Sequence, residues 1–379
     1  MRSLLRAGLA LGLLAAACKD SIGPKSLANP QATTAQMAAL DTLFNVSALN
    51  SFSTLSGNIA PSAPRLAALR ALARASNPLA GSSALRPYAK GLESAQMLRQ
   101  LVPTLTSAST AGLFPPAVVG KTFEWNLTTA AYEPTARTGA PSNGVRFILY
   151  AVDPLSHLPV DPLVEVGYVD LNDEGTANLA KVHVTVAGVG GTPVYVDYTV
   201  SLGATSGTSA RLATAGYITN GAGSPDTLRF NGAISVAGSV AGSVTSATVT
   251  QDVRLDVNSR DLHIRLWEQV TFTQTTVTLR IYYRFQHGAE VVTLVGNFNV
   301  DGIGQTVDGT IRVGVDGGRF ATCTVAAGSG TFTLTCHGAD ADGLNADEQE
   351  ALQAIGDGIE HVTQIFQGLF LPALNVLGG

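Results

Sequence analysis

Alternation of apolar and polar side chains with a period of two constrains this chain more than any other feature. It is clear in NGVRFILYAV (143–152) and in LVEVGYVDL (163–171), and it recurs as far as residue 336. Turn signals rich in glycine, asparagine or serine separate the later segments: 188–191, 258–259, 316–318 and 329–330. Such alternation is typical of antiparallel strands with one apolar and one solvated face. We therefore predict a long curved antiparallel sheet built of hairpins.

The segments LHIRLWEQVTFT and TVTLRIYYRF assign side chains to the two faces most clearly. Arginines fall on the solvated face at Arg265, Arg280 and Arg284. The predicted apolar face carries Ile264, Leu266, Val270, Phe272, Val277, Leu279, Ile281, Tyr283 and Phe285. Because side chains alternate across a strand, each set lies on one side of the sheet.

A helix is predicted at 346–370. Asn345 is a suitable N-cap, and Glu348 three residues later completes a capping box. The helix presents one apolar stripe: Leu352, Ile355, Ile359, Val362, Phe366 and Leu369. A one-striped helix complements a sheet with one apolar face. The predicted fold class is therefore α+β and β-dominated, with a curved antiparallel sheet packed on the C-terminal helix.

The N-terminal third has a different pattern. Residues 18–33 are polar and contain two prolines, which predicts a tether. Residues 34–117 form a helical or irregular N-terminal region, in which Met37 and Leu40 recur at helical spacing. Residues 118–379 form the sheet domain closed by the C-terminal helix.

Residues 1–17 have the layout of an export signal. Arg2 and Arg6 precede an apolar run from Leu9 to Leu14 that is too short to span a bilayer. Ala15-Ala16-Ala17-Cys18 follows, and it resembles the lipobox of bacterial lipoproteins. It departs from that pattern at Ala15, where leucine is commonest. The same alanines also satisfy the small-x-small rule of ordinary secretory cleavage.

The lipoprotein resemblance implies cleavage before Cys18 and a lipid on its sulfur. Lys19 follows in place of the aspartate that favours retention in the inner membrane. We therefore expect a protein of the cell envelope, on the outer membrane or facing the periplasm, that is held to the membrane by its lipidated N-terminus. The alternative is a secreted protein.

The two remaining cysteines flank one hairpin. With Ser329-Gly330 as a two-residue turn, Cys323 lies opposite Cys336. A disulfide is predicted, since exported proteins form them. The alternative is two buried free thiols that act as small apolar residues. We predict no metal site, because His337 has no further ligands at useful spacing.

No nucleophile elbow, Walker loop, zinc helix or dinucleotide fingerprint is present, so the sequence assigns no catalytic residue and no cofactor. DLNDEG (170–175) begins like a calcium loop, but Lys181 stands at the twelfth place, which indicates a hairpin turn. The net charge of −5 argues against a nucleic-acid partner.

These observations favour a non-catalytic structural or binding role in the envelope. Its partner would be an apolar or lipid ligand, or another envelope protein, bound at a surface formed by the apolar stripe of the helix and by Trp125. In a second interpretation, helix and sheet fill each other completely and leave no room for a ligand. A third is an envelope hydrolase built from groups that meet only in the fold: His157, Asp161, Glu165, Asp170 and Glu268.

Overall fold

The structure is a computed structural model. It describes residues 25–40, 46–55, 113–176, 179–206, 209–221, 226–238, 246–273, 276–301, 306–328, 331–339 and 344–355. Helix α1 spans Pro30–Ala39, α2 spans Ser47–Ser53, and α3 is described over 346–355.

Fifteen strands make up most of the described chain. They are β1 (Thr122–Asn126), β2 (Ala131–Thr135), β3 (Gly144–Tyr150), β4 (Glu165–Asp173), β5 (Leu179–Ala187), β6 (Val194–Ser206), β7 (Ser209–Thr219), β8 (Thr227–Gly238), β9 (Ser246–Val257), β10 (Leu262–Thr273), β11 (Thr276–His287), β12 (Glu290–Asp301), β13 (Thr306–Val315), β14 (Gly318–Gly328) and β15 (Thr331–Gly338).

The strands form one sheet, and the predicted β-dominated fold with its antiparallel hairpins is confirmed. From β3 to β15 every strand pairs antiparallel with the next one along the chain. The chain turns at 188–191, 258–259 and 316–318 as predicted, and the predicted turn at 329–330 lies outside the described residues. The exception to the meander is at its start, where β1 pairs with β2 and lies parallel to β3. The rings of Phe123 and Phe147 stack across that parallel pair with their centroids 4.8 Å apart.

The strand register shows which side chains share a face of the sheet. We call the inner face the side that carries Tyr198, Phe230, Leu255 and Ile264, all of which are buried. These residues lie in one cross-strand row that passes through Gly216. A Cβ at Gly216 would lie 2.4 Å from the Cβ of Tyr198. Glycine is therefore required for strand β7 to lie beside that ring.

The helices pack into the same hydrophobic core as the inner face. Met37, Phe52 and Ile355 represent α1, α2 and α3 in that core, and α2 contacts β3, β4 and β5. Among the described residues, the N-terminal helices therefore share their core with the sheet. Most of the predicted N-terminal region 34–117 lies outside the described residues.

Residues 25–33, the described part of the predicted tether at 18–33, include a buried side chain and the start of α1. Leu27 is buried, and the Lys25 N–H donates to the carbonyl oxygen of Arg319 at 3.1 Å. Asn29 caps α1 by accepting from the Ala32 N–H at 3.0 Å, and Pro30 occupies the first turn. Asparagine followed by proline begins a helix here, because proline needs no N–H partner at that position.

The start of α3 confirms the predicted capping box. The Glu348 N–H donates to Oδ1 of Asn345 at 2.9 Å, and the Asn345 N–H donates to Oε2 of Glu348 at 3.1 Å. Ile355 is buried and Leu352 is half-buried against the core. The rest of the predicted stripe, Ile359, Val362, Phe366 and Leu369, lies outside the described residues.

Candidate functional site

A carboxyl group interrupts the apolar inner face. Glu268 on β10 is only 5% exposed. It lies between Leu266 and Val270 along its strand, and it is in register with Gln251 on β9 and Ile281 on β11. Burial of a carboxyl group among apolar side chains is costly unless it finds a polar partner. Glu268 is therefore the most unusual residue on the inner face.

The polar partner of Glu268 is Tyr283 on β11. Its buried hydroxyl donates a hydrogen bond to Oε1 of Glu268. Desolvation by burial raises the pKa of Glu268 from 4.5 to about 7, and the Tyr283 hydrogen bond opposes that rise. Near neutral pH the carboxyl group is therefore present in both protonation states, so it can donate or accept a hydrogen bond.

The side chains around the Glu268–Tyr283 pair are mostly apolar. Leu266, Val270 and Ile281 are apolar, and Gln251 is an amide that does not titrate. A carboxyl group beside a phenol in such a setting can hydrogen-bond the polar end of an amphipathic molecule.

The structure does not bring the five hydrolase candidates together. Asp170 forms a two-pronged ion pair with Arg146, with both N–O distances at 2.7 Å. Its register row continues across the sheet to His263 on β10, an odd number of residues from Glu268. Because strand side chains alternate, Asp170 and Glu268 point to opposite faces. Hydrolysis by this set therefore has no geometric support.

The other three hydrolase candidates lie at the surface. His157 and Asp161 are exposed in the loop between β3 and β4. Glu165 pairs with Arg137 at 2.9 Å, and that guanidinium also contacts Glu124 at 3.2 Å. Half-exposed ion pairs of this kind contribute little to stability and do not by themselves form a catalytic cleft.

Trp125, the aromatic candidate for the ligand surface, is a core residue. It is 8% exposed, and its ring meets that of Tyr132 edge-on at 5.3 Å between centroids. Tyr132 packs in turn on Phe147 and donates its hydroxyl to the Ile148 carbonyl oxygen at 3.0 Å. Trp125 therefore helps to close the β1–β3 end of the sheet.

Two histidines on the outer face, opposite to the inner face, each bridge two carboxylates. His183 contacts Glu174 through Nδ1 at 3.0 Å and Asp197 through Nε2 at 2.9 Å. His263 contacts Asp256 through Nδ1 at 2.5 Å and Asp261 through Nε2 at 3.3 Å. The hydrogen bond to Asp256 is the main reason why the pKa of His263 is raised. Within the described residues, no group of three such side chains has the arrangement of a metal site.

The predicted disulfide is present. Cys323 on β14 and Cys336 on β15 are directly opposite in the register, as predicted, and an S–S bond joins them. Cys18 and the segment around it lie outside the described residues.

Comparisons with known proteins give no relatives for this chain: no protein-family model, no curated protein and no solved structure matches it. Within the part of the chain that the structure describes, no helix has the length and apolar character needed to cross a membrane.

Proposed function

We propose that this protein is exported, anchored to the cell envelope by a lipid on Cys18, and binds an apolar or amphipathic ligand without catalysing a reaction. The observation that carries the ligand proposal is the buried Glu268–Tyr283 pair on a largely apolar inner face. The location and the ligand are separate parts of the proposal, and each has its own support and its own test.

Two features support export. The Cys323–Cys336 disulfide is of the kind that persists in oxidising compartments and is rare in the cytosol. Arg2, Arg6 and the Ala15-Ala16-Ala17-Cys18 run match the layout of a lipoprotein signal. Lys19 after the cysteine favours the outer membrane. A diacylated and N-acylated cysteine would hold the membrane stably, since each buried methylene contributes about 0.8 kcal/mol.

The free-energy cost of burying Glu268 supports the ligand proposal. A pKa raised from 4.5 to about 7 corresponds to about 3 kcal/mol against burial of the ionised group. A leucine at the same place would extend the apolar row and remove that cost. Residues that break the local pattern at the expense of stability are concentrated at functional sites. We infer that Glu268 and Tyr283 hydrogen-bond the polar end of the ligand while the inner face contacts its apolar part.

The ligand is tested on the full chain with Cys18→Ser, which removes the lipid attachment. The purified protein is extracted, and bound small molecules are identified by mass spectrometry. We expect a co-purified amphipathic lipid whose amount falls at least tenfold with Glu268→Leu. Val270→Leu, at the next inner position of the same strand, is the matched control and should retain the lipid. A lipid-free protein, or equal loss in both variants, would contradict the ligand proposal.

The anchor is tested in cells by fractionation of the same Cys18→Ser protein. After a high-salt wash of the membranes, we expect the wild-type chain in the membrane fraction and the variant in the soluble fraction. Metabolic labelling with a fatty acid should mark the wild type alone. Membrane association that is unchanged by the substitution, together with equal labelling, would refute the lipid anchor and leave the ligand proposal standing.

A further inference from the structure

Three arginines lie directly opposite one another on neighbouring strands of the outer face. Arg254 on β9 is in register with Arg265 on β10, and Arg265 is in register with Arg284 on β11. The same row continues through Thr293 and Gly314 to an exposed fourth arginine, Arg319 on β14. The row therefore holds three adjacent arginines, and a fourth three strands farther on, across the outer face.

Two further arginines and an aromatic pair lie beside this row. Arg280 on β11 and Arg312 on β13 are exposed on the same face. Arg312 ends a register row that also holds Trp267, Tyr282 and Val295, of which Val295 is 40% exposed. We call these arginines, with Trp267, Tyr282 and Val295, the arginine face.

Few carboxylates balance the arginine face. Asp252 pairs with Arg265 at 3.0 Å and approaches Arg254 at 4.0 Å. Within the described part of the chain, no carboxylate lies within ion-pair distance of Arg280 or Arg312. This positive patch stands out in a chain whose net charge is −5.

The arginine row should destabilise strands β9, β10 and β11, because like charges directly opposite one another destabilise a sheet. A few residues away on the outer face, β9, β10 and β11 carry Thr248, Thr271 and Thr278 in one row, with no such repulsion. An anionic partner would convert the repulsion among the arginines into attraction, because a guanidinium group binds carboxylate or phosphate oxygens in a two-pronged manner.

Lys25, the first described residue, lies beside the arginine face. The Lys25 N–H donates to the carbonyl oxygen of Arg319, which belongs to the arginine row. Arg319 lies three strands from Arg284, which is about 14 Å at the usual strand spacing. Cys18 stands seven positions before Lys25, and seven extended residues reach at most about 25 Å. A lipid on Cys18 would therefore hold a membrane within reach of this face.

We propose that the arginine face binds the anionic headgroups of the membrane that holds the lipidated N-terminus, so that the outer face of β9–β14 rests on the lipid surface. The proposal rests on the lipid anchor of the proposed function. Arginines interleaved with tryptophan and tyrosine suit a membrane interface, where the rings sit at headgroup level and the guanidinium groups meet phosphates.

The test uses unlipidated full-length Cys18→Ser protein and sedimentation with phosphatidylcholine vesicles, with and without phosphatidylglycerol. We expect binding only when phosphatidylglycerol is present, and loss of binding at high salt. The double variant Arg280→Gln with Arg312→Gln should reduce partitioning roughly 25-fold, since each arginine near an anionic surface contributes about fivefold. Arg211→Gln with Arg229→Gln, on the outer face of β7 and β8, removes the same charge and should change it less than threefold.

Binding that ignores phosphatidylglycerol, or an equal loss in both double variants, would overturn the proposal. Retention on an acidic polysaccharide with no binding to vesicles would overturn it in favour of a glycan partner. These outcomes are distinct from failure of the anchor, because the vesicle assay contains no lipidated protein, and because the cell fractionation is read after a high-salt wash that removes binding through the arginines and leaves only the lipid anchor. Circular dichroism of each variant checks that it is folded.

Discussion

The hydroxyl of Tyr283 donates a hydrogen bond to Oε1 of Glu268 across strands β10 and β11, inside the apolar face of the sheet. The two residues are diagonal neighbours, since Tyr283 is in register with Leu266 and Glu268 with Ile281. Both are buried, and the hydrogen bond satisfies one carboxylate oxygen. This pair makes the stability of the fold depend on pH.

Stability should fall as pH rises through neutrality. The pKa of Glu268 is raised from 4.5 to about 7 by desolvation, so the folded protein holds this proton more tightly than the unfolded chain. The associated stability is complete below the unfolded pKa and is lost as pH rises through about 7, which amounts to about 3 kcal/mol. Glu268→Gln should flatten this dependence in urea unfolding between about pH 5 and about pH 8. Glu350→Gln, an exposed control on α3, should retain the wild-type slope.

Tyr283→Phe should destabilise the protein by about 1–3 kcal/mol, because it leaves a buried oxygen of Glu268 without its donor. It should also move the fall in stability to higher pH, since the Tyr283 hydrogen bond lowers the pKa of Glu268. Tyr282→Phe, the neighbouring tyrosine on the outer face, is the matched control. Equal free energies of unfolding for the two variants would argue that the Glu268 bond is not formed in solution.

Loss of the disulfide should loosen one edge of the sheet. Strand β15 ends the strand order and pairs with β14, to which the Cys323–Cys336 bond ties it. Cys323→Ser with Cys336→Ser should cost about 3 kcal/mol. Hydrogen exchange should quicken first in 331–338. Cys18→Ser should leave both quantities unchanged. Unaltered exchange in the double variant would show that the hydrogen-bond ladder alone holds this edge.

Loss of the capping box of α3 should cost less stability than loss of the disulfide, because the capping box acts only on the start of the helix. Asn345→Ala removes the side-chain acceptor of the Glu348 N–H and should cost about 1 kcal/mol in thermal unfolding. Asn345→Ser, which keeps a capping oxygen, should recover most of that loss. Glu350→Ala in the same helix is exposed and should change the melting temperature little. A Ser variant as unstable as the Ala variant would contradict the capping role.

The arginine row should lower the free energy of unfolding of the unbound protein. Arg284→Thr removes the third arginine of the row and introduces a residue that favours strands, so we expect the free energy of unfolding to rise by up to about 1 kcal/mol. Arg312→Thr is the control, because Arg312 is in register with Val295 and Thr322. Destabilisation by Arg284→Thr at low salt would argue against repulsion within the row.

The local features of this protein follow from its amino-acid sequence alone. Alternation sets which side of each strand a residue faces, and the turns then set the hairpin registers, so the Ser329-Gly330 turn is enough to place Cys323 opposite Cys336. The Asn345–Glu348 cap is equally predictable, because it is formed within four consecutive residues. Glu268 shares its parity with Leu266 and Val270, so its place on the apolar face could have been inferred in the same way.

Which elements become neighbours depends on the folded chain as a whole. The parallel pairing of β1 with β3, the burial of Leu27 and the packing of α1 and α2 in the core arise from contacts between distant segments. The Tyr283–Glu268 bond joins diagonal positions on two strands, and the arginine row needs the registers of successive strands. Local periodicity sets the direction of a side chain, whereas the free energy of packing the whole chain selects its partner.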